Sequence, residues 1–177
     1  MTIRPVRPVH PGSVLARAYA ALGASAFGRW FVSTVSPIID PVLLRATRGR
    51  LSTVGVYPVM LLTARGARSG NSRTVPLLYF TDGDRVIAMA SNYGRPTHPG
   101  WYYNVLASDV VRLNIKGCDG YFTAREAVGA ERERLWALAK QMARNYGHYE
   151  EMASGRRIRV IVFVAANRPL DLVQSSS

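Results

Sequence analysis

Two short turn sequences between apolar runs limit the fold of this chain more than any other feature. Thr81-Asp82-Gly83-Asp84 separates the apolar runs 74–80 and 85–91, and Gly117-Cys118-Asp119-Gly120 separates 110–116 from 121–128. An Asp-Gly pair between apolar runs favours a tight hairpin, and hairpins join antiparallel strands. The sequence therefore predicts an antiparallel sheet and excludes a doubly wound nucleotide-binding sheet, whose strands are parallel.

Six apolar runs have strand character. The predicted strands are residues 57–63, 74–80, 85–91, 110–116, 121–128 and 158–164. A short helix is predicted over 98–107 and an amphipathic helix over 130–146, because their apolar side chains recur at helical spacing. Pro76 indicates an edge position or a local break in pairing. This order predicts an α+β, mainly β fold: a split β-barrel of about six strands with flanking helices.

The first fifty residues differ from the rest of the chain. No acidic residue precedes Asp40, and Ser13 is a candidate N-cap of a basic amphipathic helix. Pro37 and Pro41 are predicted to end this helix, with one short turn after them. We expect three parts: the N-terminal segment (1–50), the barrel domain (51–168) and a polar tail (169–177).

Two roles stay open for residues 1–50. The segment contains no uninterrupted apolar run of about 18 residues, so it is not predicted to span a bilayer. Its apolar side could cover the domain or a partner subunit, or it could lie in a membrane interface. We expect a cytoplasmic protein, with peripheral contact at the inner face of the cell membrane as the second alternative.

The excess of basic residues favours an anionic partner, with an arginine-rich composition on a solvated surface as the alternative. The chain carries 23 basic and 11 acidic side chains, a formal net charge of +12, for which nucleic acid, a membrane surface and an anionic cofactor are the candidates. Cys118 is the single cysteine, so a disulfide framework is excluded. The three histidines, His10, His98 and His148, are far apart in the sequence, so no metal is expected. An enzyme of this composition would take its chemistry from a cofactor.

An arginine-rich stretch is the strongest candidate for binding that cofactor. Arg65-Gly66-Ala67-Arg68-Ser69-Gly70-Asn71-Ser72-Arg73-Thr74 contains three arginines and no acidic residue. Glycines let backbone N–H groups turn toward an anion, and arginine forks bind phosphate in a bidentate manner. The stretch predicts an anionic ligand; a solvated hairpin loop is the alternative.

Three further stretches are candidates for lining a ligand cavity. Ala90-Ser91-Asn92-Tyr93-Gly94 contains small residues that allow a flat ring to approach the backbone. Trp101-Tyr102-Tyr103-Asn104 and Tyr146-Gly147-His148-Tyr149 are aromatic and partly polar. Ordinary packing is the alternative for both aromatic stretches, and we favour it for Trp101.

The arginine-rich stretch and the residues after it resemble the signature of the deazaflavin (coenzyme F420)-dependent nitroreductase family of actinobacteria. The matching residues are Arg65-Gly66-x-Arg68-Ser69-Gly70-x-x-Arg73-Thr74-x-Pro76-Leu77-Leu78-Tyr79, Asp82-Gly83-Asp84, Ala90-Ser91-Asn92-x-Gly94, His98-Pro99-x-Trp101-Tyr102-x-Asn104-Val105-Leu106 and Glu131-Arg132-x-Arg134-Leu135-Trp136. Members of that family have a split β-barrel fold and are often dimeric. The resemblance implies reduced F420 as the cofactor, with FMN less favoured, and hydride transfer to a quinone, a nitroaromatic or an activated alkene.

The resemblance also implies roles for individual residues. The residues implied for the phosphate and acidic tail of F420 are Arg65, Arg68, Ser69 and Arg73. Those implied for the deazaflavin ring are Thr74, Val75, Pro76, Leu77, Ser91, Asn92, Tyr93 and Gly94, with Trp101, Tyr102 and Asn104 completing the wall. Tyr146 and Tyr149 are the catalytic candidates, because a tyrosine hydroxyl there would orient or protonate the acceptor.

Two other functions are also compatible with this sequence. An FMN-binding enzyme of the same fold is one alternative, and a non-catalytic cofactor-binding or membrane-associated protein is another. A nucleic-acid partner is not expected, because aromatic side chains do not alternate with the arginines on one sheet face. The expected partners are a small-molecule acceptor and a second copy of the chain.

Overall fold

A closed barrel of six antiparallel strands forms the centre of the computed structural model, which describes residues 34–47, 51–53, 55, 57–143 and 145–166. The strands are β1 Val59–Arg65, β2 Ser72–Asp82, β3 Arg85–Met89, β4 Val111–Ile115, β5 Cys118–Glu126 and β6 Val160–Ala166. The helices are α1 Ser36–Ala46, α2 Gly100–Leu106, α3 Gly129–Met142 and α4 Asn145–Met152, with a 3₁₀ turn at Asn92–Gly94. The predicted helix after Ser13 and the tail 169–177 lie outside the described residues.

The strand order around the barrel is β1-β2-β3-β6-β5-β4, and every pairing is antiparallel. The two predicted hairpins are the β2–β3 and β4–β5 pairs. The second turn was predicted at the wrong residues: it consists of Lys116 and Gly117, both with positive φ, while Asp119 and Gly120 pair with β4 as part of β5. Pairing of β4 with β1, where Leu113 stands opposite Leu62, closes the barrel. The α+β, mainly β class and the barrel of six strands are therefore confirmed.

Alternate residues of each strand pack on opposite sides of the barrel wall. Val86 and Ala88 of β3 point into the barrel, where they join a cluster that includes Phe122. Ile87 and Met89 point outward into a second cluster that α3 and α4 cover. This alternation follows from the two-residue period of a strand, and it gives the domain two layers of apolar packing.

Pro76 is paired on one side only. It stands opposite Leu61 of β1, whereas the pairing of β2 with β3 runs only from Tyr79 to Asp82. The missing N–H of a proline is tolerated where a strand has an open edge. The edge position predicted from Pro76 is confirmed.

Two helix predictions were wrong at their ends. α1 continues through Pro41 rather than stopping there. Its buried Asp40 accepts hydrogen bonds from the N–H and Oγ1 of Thr53 at 2.7 and 3.0 Å, and Leu44 packs against β1. These tertiary contacts outweigh the helix hydrogen bond that a proline removes.

The predicted helix over 130–146 is two helices. α3 ends at Met142, and Ala143 is extended at φ −141° and ψ 104° before α4 begins. The break changes the direction of the chain, so that α4 packs against α3 and the 3₁₀ turn rather than continuing along the barrel. No proline marks the break in the sequence.

An ion network holds the β2–β3 turn against the start of α3. Arg134 donates to both carboxylate oxygens of Asp82 at 2.8 Å, and Arg85 binds Asp82 and Glu131. Arg125 donates to Glu131 at 2.6 and 2.8 Å. The hydrogen bond from Arg134 lowers the pKa of Asp82 to about 2, and the one from Arg125 lowers the pKa of Glu131 to about 2.

We expect the network to make stability depend on pH in the acid range. Because both carboxyl groups have folded-state pKa values of about 2, below the ordinary values of about 4, their contribution is present above about pH 4 and is lost as the pH falls toward 2. Urea unfolding between pH 7 and 3 measures this loss. In Asp82→Asn the urea midpoint should fall less over that range, and an equal fall in both proteins would contradict the assignment.

Candidate functional site

The arginine-rich stretch forms the end of β1, the start of β2 and the hairpin loop 66–71 between them. The N–H of Gly66 donates to the carbonyl of Asn71, and the N–H of Gly70 donates to that of Gly66, both at 2.8 Å. Gly70 has a φ of +70°, and a Cβ on Gly66 would lie 2.6 Å from Oγ of Ser69. The loop is therefore a tight turn in which the positive φ favours glycine at position 70, and a side chain at position 66 would require Ser69 to move.

The loop presents positive charge without a described counterion. Arg65, Arg68 and Arg73 are exposed, and none of the ion pairs among the described residues includes them. No described residue accepts a hydrogen bond from the backbone N–H of Arg68 or Ser69. Guanidinium forks beside free backbone N–H groups form a donor set suited to phosphate and carboxylate.

An open strand edge lies next to this loop. Over residues 72–78, β2 pairs with β1 on one side, and no described strand pairs with its other edge. Thr74, Val75, Pro76 and Leu77 lie in this part of β2, half-buried, and Oγ1 of Thr74 is 2.9 Å from Oγ1 of Thr63. Alternate backbone groups of an unpaired edge are free to bind a ligand, so this edge fits the polar rim of a ring system.

The chain leaves the barrel after β3 in a turn of unusual backbone conformation. Asn92, Tyr93 and Gly94 all have positive φ, at 49°, 55° and 76°. The amide of Asn92 donates to the carbonyl of Thr97 at 2.9 Å. A Cβ on Gly94 would lie 2.9 Å from Cβ of Met152, so α4 packs directly on the turn. Three left-handed residues in succession are costly outside glycine, and such strain is concentrated at functional sites.

Helix α2 connects the arginine-rich loop to the barrel. Oδ1 of Asn104 accepts a hydrogen bond of 3.0 Å from the N–H of Ala67. This contact brings the candidate stretch 101–104 next to the arginine-rich stretch. Trp101 packs against the barrel interior, in line with the ordinary packing role favoured for it from the sequence. The hydroxyl of the buried Tyr102 donates to Glu126 at 2.9 Å, so it is already engaged within the protein.

The two tyrosines proposed for catalysis lie in an aromatic row that also includes Tyr93 and Trp136. Ring centroids are 6.4 Å apart between Tyr93 and Tyr149 and between Tyr149 and Tyr146, and 6.1 Å apart between Tyr146 and Trp136. Tyr146 is only 4% exposed, whereas Tyr149 is half-buried. Burial raises the pKa of Tyr93 to about 12 and raises that of Tyr146 as well, so both hydroxyls stay protonated at neutral pH.

Arg156 is a residue of this region that the sequence analysis missed. Its guanidinium donates to the carbonyls of Ala90, Ser91 and Arg95 and to Nδ1 of His98, at 2.7 to 3.1 Å. It lies in an irregular segment between α4 and β6, outside every candidate stretch. The only signal in the sequence was one more arginine in an arginine-rich chain.

Neither a cluster of metal-ligating side chains nor a helix able to span a membrane occurs among the described residues. No group of three or more metal-ligating side chains occurs in that part of the chain. None of its helices has the length and apolar character needed to cross a membrane.

The barrel topology and the arginine-rich loop define a class of protein: a split β-barrel with a candidate site for an anionic ligand. The profile of the F420H2-dependent quinone reductase family matches residues 40–165. The chain is similar to an F420H2-dependent quinone reductase of Mycobacterium tuberculosis (strain ATCC 25618 / H37Rv), with 34% identity over 129 residues that cover 70% of this chain and 86% of the relative.

Two solved structures are also similar to the chain. A structure described as an F420-H2 dependent reductase (FDR-A) is 36% identical with a TM-score of 0.56, covering 60% of this chain and 94% of that one. A structure described as a domain-swapped dimer is 32% identical with a TM-score of 0.57, covering 72% and 96%.

The chain belongs to the F420H2-dependent quinone reductase family. This confirms the predicted family, an enzyme of the oxidoreductase class, and F420 as the cofactor. The cofactor also fits the donor set, because F420 carries a phosphodiester and an acidic tail that the unpaired arginines suit. The family name specifies a quinone, and the roles of the individual site residues stay predictions.

Proposed function

We propose that this protein reduces a quinone with hydride from reduced F420, and that the site lies between the arginine-rich loop and the turn after β3. The observation that supports this most is the position of the unneutralised loop next to the open edge of β2. A cofactor with an anionic tail and a flat ring needs both features in one place. Reduced F420, when bound, supplies a hydride, that is, two electrons and one proton.

Arg65, Arg68, Ser69 and Arg73 are proposed to bind the phosphate and the acidic tail. Their charge is exposed and has no described carboxylate nearby, so no internal ion pair must be broken. Asn104 supports this role indirectly, because its hydrogen bond to Ala67 fixes the loop. A loop held in one conformation loses less entropy when it binds an anion.

The open edge of β2, from Thr74 to Leu77, and the turn Ser91–Gly94 are proposed to hold the ring from two sides. The polar atoms offered there are mostly backbone N–H and carbonyl groups. Trp101 and Tyr102 form the barrel side of this wall. The contribution of these residues is orientation and exclusion of water, because hydride transfer needs the donor and acceptor atoms at close approach.

Tyr146 and Tyr149 are proposed to border the acceptor. A quinone that receives a hydride needs one proton to become the hydroquinone, and a protonated tyrosine is a suitable donor. Tyr149 is the better placed of the two, since it is half-buried while Tyr146 is nearly enclosed. We assign direct contact with the acceptor to Tyr149, and to Tyr146 the support of Tyr149 across the 6.4 Å ring contact.

Nitroaromatics and activated alkenes are proposed as further acceptors, since both accept hydride at an electron-poor atom. A homodimer is also proposed, in line with the similar structure described as a domain-swapped dimer. The last part of the proposal is a cytoplasmic location with peripheral membrane contact through residues 1–50. Membrane contact would bring the enzyme to its acceptor, because quinones are apolar.

The proposed function predicts quinone-dependent oxidation of F420H2. We expect oxidised F420 fluorescence to appear when the full chain is mixed with F420H2 and 1,4-naphthoquinone, at a rate proportional to enzyme. Titration with F420 and with FMN under the same conditions compares the cofactors. Tight binding of FMN without binding of F420 would favour the FMN alternative, and F420 binding without turnover of any acceptor would favour a non-catalytic carrier.

A further inference from the structure

Arg156 donates four hydrogen bonds to backbone carbonyls of residues 90–95, in and next to the turn after β3. Its Nη2 donates to the carbonyl of Ser91 at 2.7 Å and to that of Arg95 at 2.9 Å. Its Nε donates to the same carbonyl of Arg95 at 3.0 Å, and its Nη1 to the carbonyl of Ala90 at 3.1 Å. One guanidinium thus joins the end of β3 to the far side of the turn.

His98 completes this set of contacts. Its Nδ1 accepts from Nη1 of Arg156 at 3.0 Å, which requires the neutral ring with its proton on Nε2. Burial, followed by the charge of Arg156, lowers the pKa of His98 and favours this state at neutral pH. The ring of His98 in turn packs on Tyr102 with centroids 4.7 Å apart, so the clamp is fixed to the barrel.

The turn needs such a clamp because of its backbone conformation. Asn92 and Tyr93 both have positive φ, and each non-glycine residue in that region costs about 1 kcal/mol or more. Within the turn, the described backbone hydrogen bonds are those from Gly94 to Ser91 and from Arg95 to Asn92. The carbonyls that Arg156 binds belong to Ala90 and Arg95, one on each side of the strained residues. The hydrogen bonds from Arg156 therefore oppose relaxation of the turn.

The position of Arg156 is itself set by a turn. After α4, Ser154 and Gly155 both have positive φ, at 53° and 82°, and the N–H of Arg156 donates to the carbonyl of Ala153 at 3.0 Å. No ion pair among the described residues includes Arg156. Its guanidinium binds backbone carbonyls and the neutral ring of His98 rather than a carboxylate, which indicates a positioning role rather than a surface ion pair.

We propose that Arg156 is the positioning residue that holds the turn Ser91–Gly94 in the conformation in which it meets the F420 ring. The inference rests on the proposed function, because it takes that turn as one wall of the ring site. It does not involve the tail of the cofactor, which the arginine-rich loop binds. Loss of Arg156 should therefore impair ring placement more than overall binding.

Arg156→Ala tests the proposal, with Arg157→Ala as the matched control. Arg157 is the next residue and is exposed, and its ion pair within the described part of the chain is with Glu133. In Arg156→Ala we expect kcat with F420H2 and 1,4-naphthoquinone to fall about 100-fold, the scale of a misplacement near 1 Å, while KM for F420H2 rises less than about 10-fold. Arg157→Ala should change neither by more than about twofold.

A second readout needs no cofactor. Hydrogen exchange of the full chain, followed in peptides that cover residues 90–98, should become faster in Arg156→Ala and stay unchanged in Arg157→Ala, with the peptides of β1 and β6 unaltered. Arg156→Lys should not restore kcat, because an ammonium group cannot reach carbonyls on both sides of the turn. Added guanidinium chloride should raise the activity of Arg156→Ala above that in equal potassium chloride.

The outcomes separate the two proposals. No turnover by the wild-type chain would contradict the proposed function whatever Arg156 does. An active wild type together with an Arg156→Ala protein of unchanged kcat and unchanged exchange in residues 90–98 would overturn the positioning role. Full activity in Arg156→Lys would also overturn it, since charge alone would then suffice.

Discussion

The double substitution Arg68→Ala/Arg73→Ala is expected to weaken F420 binding about 100-fold. Both side chains are exposed, Arg68 on the hairpin loop and Arg73 at the start of β2, and neither forms an ion pair with a described carboxylate. A hydrogen bond to a charged group contributes about 1.5 to 3 kcal/mol, and the lower end applies to exposed groups. Two such losses give about 3 kcal/mol, and each 1.4 kcal/mol is a factor of ten in Kd.

Fluorescence titration with F420 measures this effect, and kcat at saturating F420H2 should stay within about threefold of wild type. The effects expected for Arg156→Ala are the reverse, because there kcat falls strongly and KM for F420H2 rises less. The deazaflavin riboside that lacks the phosphate and the tail should bind the variant and the wild type equally. Rising salt should weaken F420 binding by wild type more than by the variant.

A matched variant removes the same charge elsewhere. Arg45 of α1 and Arg112 of β4 are exposed, so Arg45→Ala/Arg112→Ala lowers the net charge equally without touching the loop. We expect its Kd to change less than twofold. If both double variants lost affinity to the same extent, the overall charge rather than the loop would attract the cofactor, and the assignment of Arg68 and Arg73 would be wrong.

The barrel could be predicted from the sequence because its signals are local. The Asp-Gly turn at residues 82–83 sets the β2–β3 hairpin, and the period of two along β3 separates Val86 and Ala88 from Ile87 and Met89. The end of α3 at Met142 carries no such signal, because the break depends on packing of α4 against the turn after β3. Likewise, the helix continues through Pro41 where Asp40 binds Thr53 and Leu44 packs on β1, and neither contact is visible in the local sequence.

For the same reason, the sequence predicts the local parts of the candidate site but not its long-range contacts. The arginine-rich stretch can be recognised as a candidate because its glycines, its three arginines and its lack of acidic residues are visible in the sequence. The hydrogen bond from Ala67 to Asn104 spans 37 positions, and the one from Arg156 to Ser91 spans 65. Contacts at such separations depend on the closed barrel, so a single sequence gives no indication of them.

The second large effect is expected at Arg132, which is 6% exposed on α3. Its Nη2 donates to Glu150 of α4 at 2.7 Å and to the carbonyl of Ile158 at 3.1 Å. Its guanidinium carbon lies 4.9 Å from the centroid of the Trp136 ring. Arg132→Met keeps much of this packing but leaves Glu150 without its cation. Breaking a buried pair from one side costs about 3 to 5 kcal/mol, and since Glu150 is partly exposed we expect about 3 kcal/mol.

Urea unfolding of Arg132→Met, Glu150→Gln and the double variant measures the coupling between the two groups. The double variant should be more stable than the sum of the single losses predicts, because it leaves no buried charge unpaired. Arg157→Ala is the control, since its ion pair with Glu133 is exposed and should contribute less than about 1 kcal/mol. Additive losses would contradict the pairing. Helix α4 also carries Tyr146 and Tyr149. If Arg132→Met lost more activity than its unfolded fraction explains, the Arg132–Glu150 pair would also be linked to the placement of the acceptor.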